Sequence, residues 1–200
     1  MDKKKITIDE ILDSVDSVNL PDPMQYQYYA NLQNRKIIVN GEITDAIIEY
    51  ATLPLIQMDN DGTGKPIELL LNTLGGDLFS GLTLVDAIER VQTPLTVRIL
   101  GMAASMGFYI AIAGHNNPNV KTVCSSFSVG LLHGGSLELE GTQYAIKDQI
   151  NFLQSYEEKL KKYVVSHTNI TPRFYKKFER NEYWMDSEEL LKYGIVDEII

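Results

Sequence analysis

Cysteine is nearly absent from this chain. Cys124 is the only one in 200 residues, which excludes an intramolecular disulfide framework and fits a reducing compartment. Basic charge is also scarce. Eighteen Lys and Arg stand against 27 Asp and Glu, a net charge of −9, so neither nucleic acid nor an anionic membrane surface is an expected partner. No apolar run approaches the ~20 residues needed to cross a bilayer. The opening MDKKKITIDEILDSV has a basic start with no apolar stretch behind it, so it does not read as a secretory signal. Together these absences predict a cytoplasmic location. Histidine is rare too, so any histidine-dependent chemistry must use His115, His133 or His167.

A hydrophobic content of 44% is enough for one domain-sized core. Residues 1–30 read as an N-terminal extension and 31–200 as the main domain. In the extension, Thr7-Ile8-Asp9-Glu10 has the form of a capping box ahead of a short amphipathic helix carrying Ile11, Leu12, Val15 and Val18. Leu20-Pro21-Asp22-Pro23 breaks the chain, and a tyrosine cluster follows at Tyr26, Tyr28 and Tyr29.

From Arg35 onward strand and helix signals alternate. Strands are predicted at 36–39, 67–71, 95–100, 121–124 and 128–132, the second of them an apolar run suited to burial on both faces. Helices are predicted from Thr44, with a restart at Pro54, and at 81–90 and 106–113. The last of these has no polar face and should be buried. The order predicts an α/β fold with a mostly parallel sheet. The last third is more helical: a long segment from Thr142 to about Val165, a helix opened by Thr171-Pro172, another capped by Asp186 and stopped at Gly194, and a final edge strand within 195–200.

Two glycine-containing turns follow strands, Asn72-Thr73-Leu74-Gly75-Gly76-Asp77 and Gly101-Met102-Ala103-Ala104-Ser105-Met106-Gly107. In an open parallel sheet both belong at the edge where functional groups gather. Gly76 lets its N–H approach a ligand closely. Met106 opens a helix, where backbone donors lack intrahelical partners. Two such N–H groups converging would stabilise an oxyanion. Taken alone, Ser105 reads as a helix cap and His133 as a partly buried structural histidine. Taken together, a serine at a strand-to-helix turn and a histidine at a strand end are placed as a nucleophile and its base. His115 lies in the polar run HNNPN, a loop, and His167 at the end of the long helix, a surface position or a favourable C-terminal cation. The run His133-Gly134-Gly135 follows the serine, and the serine sits in A-x-S-x-G, so an α/β-hydrolase arrangement is disfavoured.

The segments NTLGGDLFSG, GMAASMGFYIAIAG, LLH and YWMDSEELLKYGIVDEI together resemble the ClpP serine peptidases, the proteolytic subunits of ATP-dependent Clp proteases. The resemblance covers about 35–200. It implies a ClpP/crotonase-like spiral of ββα units with a long protruding handle helix at 142–165, through which two heptameric rings stack. It implies Ser105 as nucleophile, His133 as general base, and the N–H groups of Gly76 and Met106 as the oxyanion hole. The substrate would be a peptide or unfolded protein lying extended beside the site, and no metal or cofactor is called for.

At the position matching the family's triad aspartate this chain has Glu182, with Asn181 and Asp186 as nearby substitutes. The segment 67–71 has no aromatics, Thr73-Leu74 replace Ser-Pro in the glycine turn, His115–Asn119 resembles a small insertion, and residues 1–30 do not match the usual axial segment. These departures describe a divergent member and argue against docking of an AAA+ unfoldase of the standard kind. Two alternatives to an active peptidase follow: a ring subunit with little or no activity, and a crotonase-type acyl-CoA enzyme.

Overall fold

The computed structural model describes residues 22–135, 140–177 and 181–200. The proposed capping box at Thr7–Glu10 and its helix lie outside them. The chain divides into two units at Asn34/Arg35. In the first, helix α1 spans Pro23–Gln33. Asp22 caps it, its carboxylate accepting the Met24 N–H at 2.7 Å, and Pro23 occupies the first turn. Pro23, the last residue of the Leu20–Pro23 run expected to break the chain, instead opens a helix, because a first-turn proline has no intrahelical N–H to lose. Tyr26 and Tyr29 on this helix are exposed.

The second unit is built on a sheet. β1 (Lys36–Ile43), β2 (Ile67–Gly76), β3 (Leu95–Ala104), β4 (Val120–Cys124) and β7 (Glu198–Ile199) pair in parallel in that order. β5 (Val129–Leu132) pairs in parallel with β3, and β6 (Tyr183–Met185) pairs antiparallel with β5. The two halves of β3 have different neighbours. Leu95–Ile99 lie beside β4, whereas Met102–Ala104 lie beside β5. The sheet divides at Leu100-Gly101, and the second half carries the residues singled out from the sequence.

A π-helical turn at Ile48–Thr52 runs into α2 (Leu53–Asp59), with Pro54 in the opening positions where the sequence placed a restart. α3 spans Leu78–Arg90 and begins three residues before the predicted start. Asp77 explains the difference: its Oδ1 accepts the Ser80 N–H at 2.8 Å and caps the first turn. α4 (Met106–Ile112) is buried at every residue, as its lack of a polar face requires. α5 runs from Gln143 to His167, 25 residues, or ~37 Å at 1.5 Å per residue. Its N-terminal part is largely exposed, Tyr144 and Phe152 included. α6 (Pro172–Tyr175) and α7 (Ser187–Lys192) start at the predicted caps, Thr171 accepting the Phe174 N–H and Asp186 accepting that of Glu189.

β2 departs from expectation. Ile67, Leu69 and Leu71 are buried, but Leu70 is half-buried and Leu74 is exposed. The helices therefore cover one face only. On the other, Glu68 lies between Lys36 Nζ at 3.1 Å and Arg98 Nε at 2.9 Å. A carboxylate flanked by two cations keeps its place at a solvated face, which an apolar run alone does not reveal. The HNNPN run is also structural: the Asn117 carboxamide donates to the carbonyls of Glu89 at 3.2 Å and Val91 at 2.9 Å, satisfying groups at the end of α3.

Candidate active site

Ser105 closes β3 and opens α4. Its φ of 54° and ψ of −117° lie in a region that a residue with a Cβ enters only at an energetic cost. Its side chain makes no capping bond to α4, so the helix-cap reading does not describe it. Three close approaches hold the turn. A Cβ built on Gly75 would lie 2.5 Å from Ser105 Cβ and 3.0 Å from Met106 N. One on Gly107 would lie 2.4 Å from Thr73 Cγ2, and one on Gly81 would lie 2.3 Å from Met106 Cγ. Glycine at each point lets β2 and α3 close on the elbow. Gly76, the glycine singled out for its N–H, stands against the Ile43 backbone, 2.2 Å from the carbonyl oxygen for a Cβ placed there. Gly75 is thus the one that abuts the serine.

His133 reaches the same edge along β5. Ala104 pairs with Leu131, and the Ser105 N–H donates to the Leu131 carbonyl at 2.9 Å. His133 follows two residues later and, like Ser105, is half-buried. β6 then brings the acidic candidate. Leu131 pairs with Trp184 and Leu132 with Tyr183, and His133 and Glu182 are the next residues of their chains beyond that paired end. The Glu182 Oε2 accepts the Trp184 indole N–H at 3.1 Å. The other candidates are otherwise engaged: Asp186 caps α7, and the Asn181 carboxamide donates to the Lys177 carbonyl at 3.5 Å.

A family model for Clp protease matches residues 22–200. The chain belongs to the Clp protease family. The ATP-dependent Clp protease proteolytic subunit of Streptococcus mutans is 29% identical over 177 residues, covering 88% of this chain and 89% of that protein. Proteolytic subunit 1 of Salinibacter ruber is 25% identical over 176 residues, covering 88% of this chain and 74% of its own length. The subunit of Streptococcus pyogenes is 29% identical over 177 residues. At these identities this is a divergent member of the Clp protease family, and its α/β fold with a mostly parallel sheet agrees with the ClpP-like architecture expected.

His133 also lines a cavity of about 340 Å³. Its lining includes Tyr109, Leu132, His133, Glu157, Lys161 and Tyr175. Burial pushes the Tyr109 hydroxyl well above the ordinary tyrosine range, and the hydrogen-bonded Tyr175 and the Glu157 carboxylate add to the effect. The tyrosine therefore stays a neutral hydroxyl.

Of the two places expected for His167, it ends the long helix but does not lie at the surface. It is buried, with Nε2 2.9 Å from Glu89 Oε1 and Nδ1 2.8 Å from the Tyr163 carbonyl oxygen. The Tyr163 hydroxyl donates to the same Glu89 oxygen at 2.5 Å, and burial together with this bond raises it far above the normal range. The cluster ties the end of α5 to α3. Nothing in the local pattern marks Glu89 as its partner, because the contact joins residues 74 and 78 positions apart. Among the described residues no group of acidic, histidine or cysteine side chains is arranged to hold a metal ion, and no helix is long and apolar enough to cross a membrane.

Proposed function

We propose that this Clp protease family member is a serine endopeptidase acting through an acyl-enzyme. The reading is carried by one observation: a serine on a strained elbow, free of any capping bond, whose N–H bonds the strand that His133 follows. Ser105 Oγ attacks the scissile carbonyl while His133 takes its proton. The oxyanion is met by the N–H groups of Met106 and Gly76. Support for Gly76 comes from Asp77, whose N–H donates to the Ile43 carbonyl at 2.8 Å. Successive N–H groups alternate along a strand, which turns that of Gly76 away from β1. His133 returns the proton to the leaving amine, and water, deprotonated by the same imidazole, releases the acid. Glu182 orients the imidazole.

The peptidase body is 31–200, with 1–30 an extension. The exposed side of α5, with Tyr144 and Phe152, is the surface on which copies assemble into stacked heptameric rings, working in the cytoplasm on peptides or unfolded proteins. The Lys36–Glu68–Arg98 cluster on the open face of β2 makes a standard apolar AAA+ docking site a poor fit. A fluorophosphonate probe tests the assignment. The assembled protein should be labelled at Ser105 and should cleave fluorogenic peptides, and Ser105→Ala should abolish both. An unlabelled Ser105 in intact assemblies defeats the reading.

A second reading, a ring subunit of little activity, is favoured by the engagement of Glu182 with Trp184. Peptidase turnover by the pure protein that disappears with Ser105→Ala excludes it.

A further inference from the structure

The cavity beside His133 carries a carboxylate that its own lining does not neutralise. Two glutamates and one lysine of α5 border it. Lys161 is committed to the cavity wall: its ammonium is 3.3 Å from Glu158 Oε1 and 6.0 Å from the centroid of the Tyr175 ring, with its side chain 16% exposed. Glu157 is different. Among the described residues no cation or hydrogen-bond donor pairs with it, yet its charge is felt at the buried hydroxyl of Tyr109. It is exposed at the rim and lines the cavity together with Leu132, Leu160, Tyr109 and Tyr175.

We propose that this cavity receives a substrate side chain flanking the scissile bond, and that Glu157 makes it select a basic one, arginine or lysine. The inference rests on the peptidase reading above, since His133 is the wall shared by the cavity and the reacting centre. Volume, shape and charge agree. About 340 Å³ accommodates a long side chain. The alkyl part of arginine or lysine lies along Leu132 and Leu160 while the cation reaches past them. The unmatched carboxylate supplies a charge-assisted hydrogen bond. An acidic side chain would meet Glu157 as a like charge.

The test is a matched set of fluorogenic peptides differing only in the residue flanking the cleaved bond. Arginine and lysine substrates should be cleaved at least about tenfold better than norleucine, and better still than glutamate, the gain expected of one charge-assisted bond. Glu157→Gln should collapse the arginine-to-norleucine ratio, and Glu157→Lys should invert it toward glutamate. The ratio is taken within each variant, so losses of folding or assembly cancel. A ratio near one in the wild-type chain overturns the proposal while turnover itself upholds the peptidase reading. Binding gives a test without turnover. In Ser105→Ala, an arginine peptide should bind at least about tenfold tighter than its norleucine counterpart, and the difference should vanish on adding Glu157→Gln. Equal binding of the two peptides overturns the proposal whether or not the wild type is an active peptidase.

Discussion

The N–H of Ser105 donates to the carbonyl of Leu131 at 2.9 Å, across the gap between the ends of two parallel strands. This bond continues the Ala103–Gly130 and Ala104–Leu131 ladder one step beyond β3. It fixes the elbow against β5 and sets the distance along the chain from Ser105 to His133 at two residues past the bonded carbonyl. The division of β3 between β4 and β5 therefore puts His133, and no other histidine, just beyond the strand bonded to Ser105. His115, at the end of α4, and His167, locked to Glu89, have other places in the fold.

The elbow strain gives a contrast between two small substitutions. At φ 54°, ψ −117° any Cβ is penalised, by ~1–3 kcal/mol. Ser105→Gly removes the penalty and the hydroxyl together, so thermal unfolding should move up by about 2–4 °C while fluorophosphonate labelling disappears. Ser105→Ala should lose labelling with no comparable gain. Equal melting temperatures for the glycine and alanine variants would show that the elbow stores no strain.

Of Glu182, Asp186 and the neutral Asn181, Glu182 is the proposed acid because it adjoins the paired end of β5 and β6. Glu182→Gln keeps the size and removes the charge that would stabilise an imidazolium, and peptidase kcat/KM should fall by between ~10² and ~10⁴. Asn181→Ala should leave kcat/KM within about threefold. Asp186→Ala should cost stability, ~1 kcal/mol for a lost helix cap, with little change in rate. A large rate loss with Asp186→Ala and none with Glu182→Gln would move the acid from the residue before β6 to the cap of α7. Trp184→Phe releases the Glu182 carboxylate from its bond to the indole and should raise kcat/KM if that bond restrains it.

What was legible in the sequence was local chemistry. Thr171 and Asp186 announce helix starts through side chains that reach three residues ahead, and both cap in the structure as expected; Thr142, where the long segment begins, caps in the same way. α4 could be recognised as buried because it has no polar face. The misreadings involve partners far along the chain. The single covered face of β2 depends on Lys36 and Arg98 finding Glu68 from neighbouring strands. The burial of His167 depends on Glu89, on a helix that precedes it by three strands. In the site, Ser105 and His133 stand just past the ends of strands that composition reveals, whereas the nearness of Glu182 to that end of β5 follows from the β5–β6 pairing. Asp77 was open to recognition as a cap, but the glycine turn before it drew the helix start to Gly81.

Asp77 provides a pH-dependent prediction. Its hydrogen bonds from Ser80 hold its carboxyl below the usual carboxylate range. A depressed folded value means that the stabilisation is fully present above the unfolded value, about 4, and is lost as pH falls through the lower folded value. Asp77→Ala should cost ~1 kcal/mol at pH 7, lowering the melting temperature by about 2–4 °C. The gap between wild type and variant should narrow as pH falls below 4. A gap that stays constant from pH 7 to pH 3 would mean that the ionised cap contributes nothing specific to α3.

Gly75 sets how closely β2 approaches the elbow. A Cβ there would lie 2.5 Å from Ser105 Cβ and 2.8 Å from the Ala104 carbonyl oxygen, on a backbone with φ of +101°. Neither neighbour can step aside: one belongs to the strained residue itself, the other to the strand that feeds it. Gly75→Ala should therefore cost at least about 2 kcal/mol, a fall of at least about 4 °C in melting temperature, and should displace Ser105 enough to abolish labelling. Gly135→Ala is the control, because a Cβ there meets nothing within 4 Å, and its melting temperature should stay within about 1 °C of wild type. If Gly75→Ala melts with the wild type and still labels Ser105, the close approach of the two turns is not what holds the serine in place.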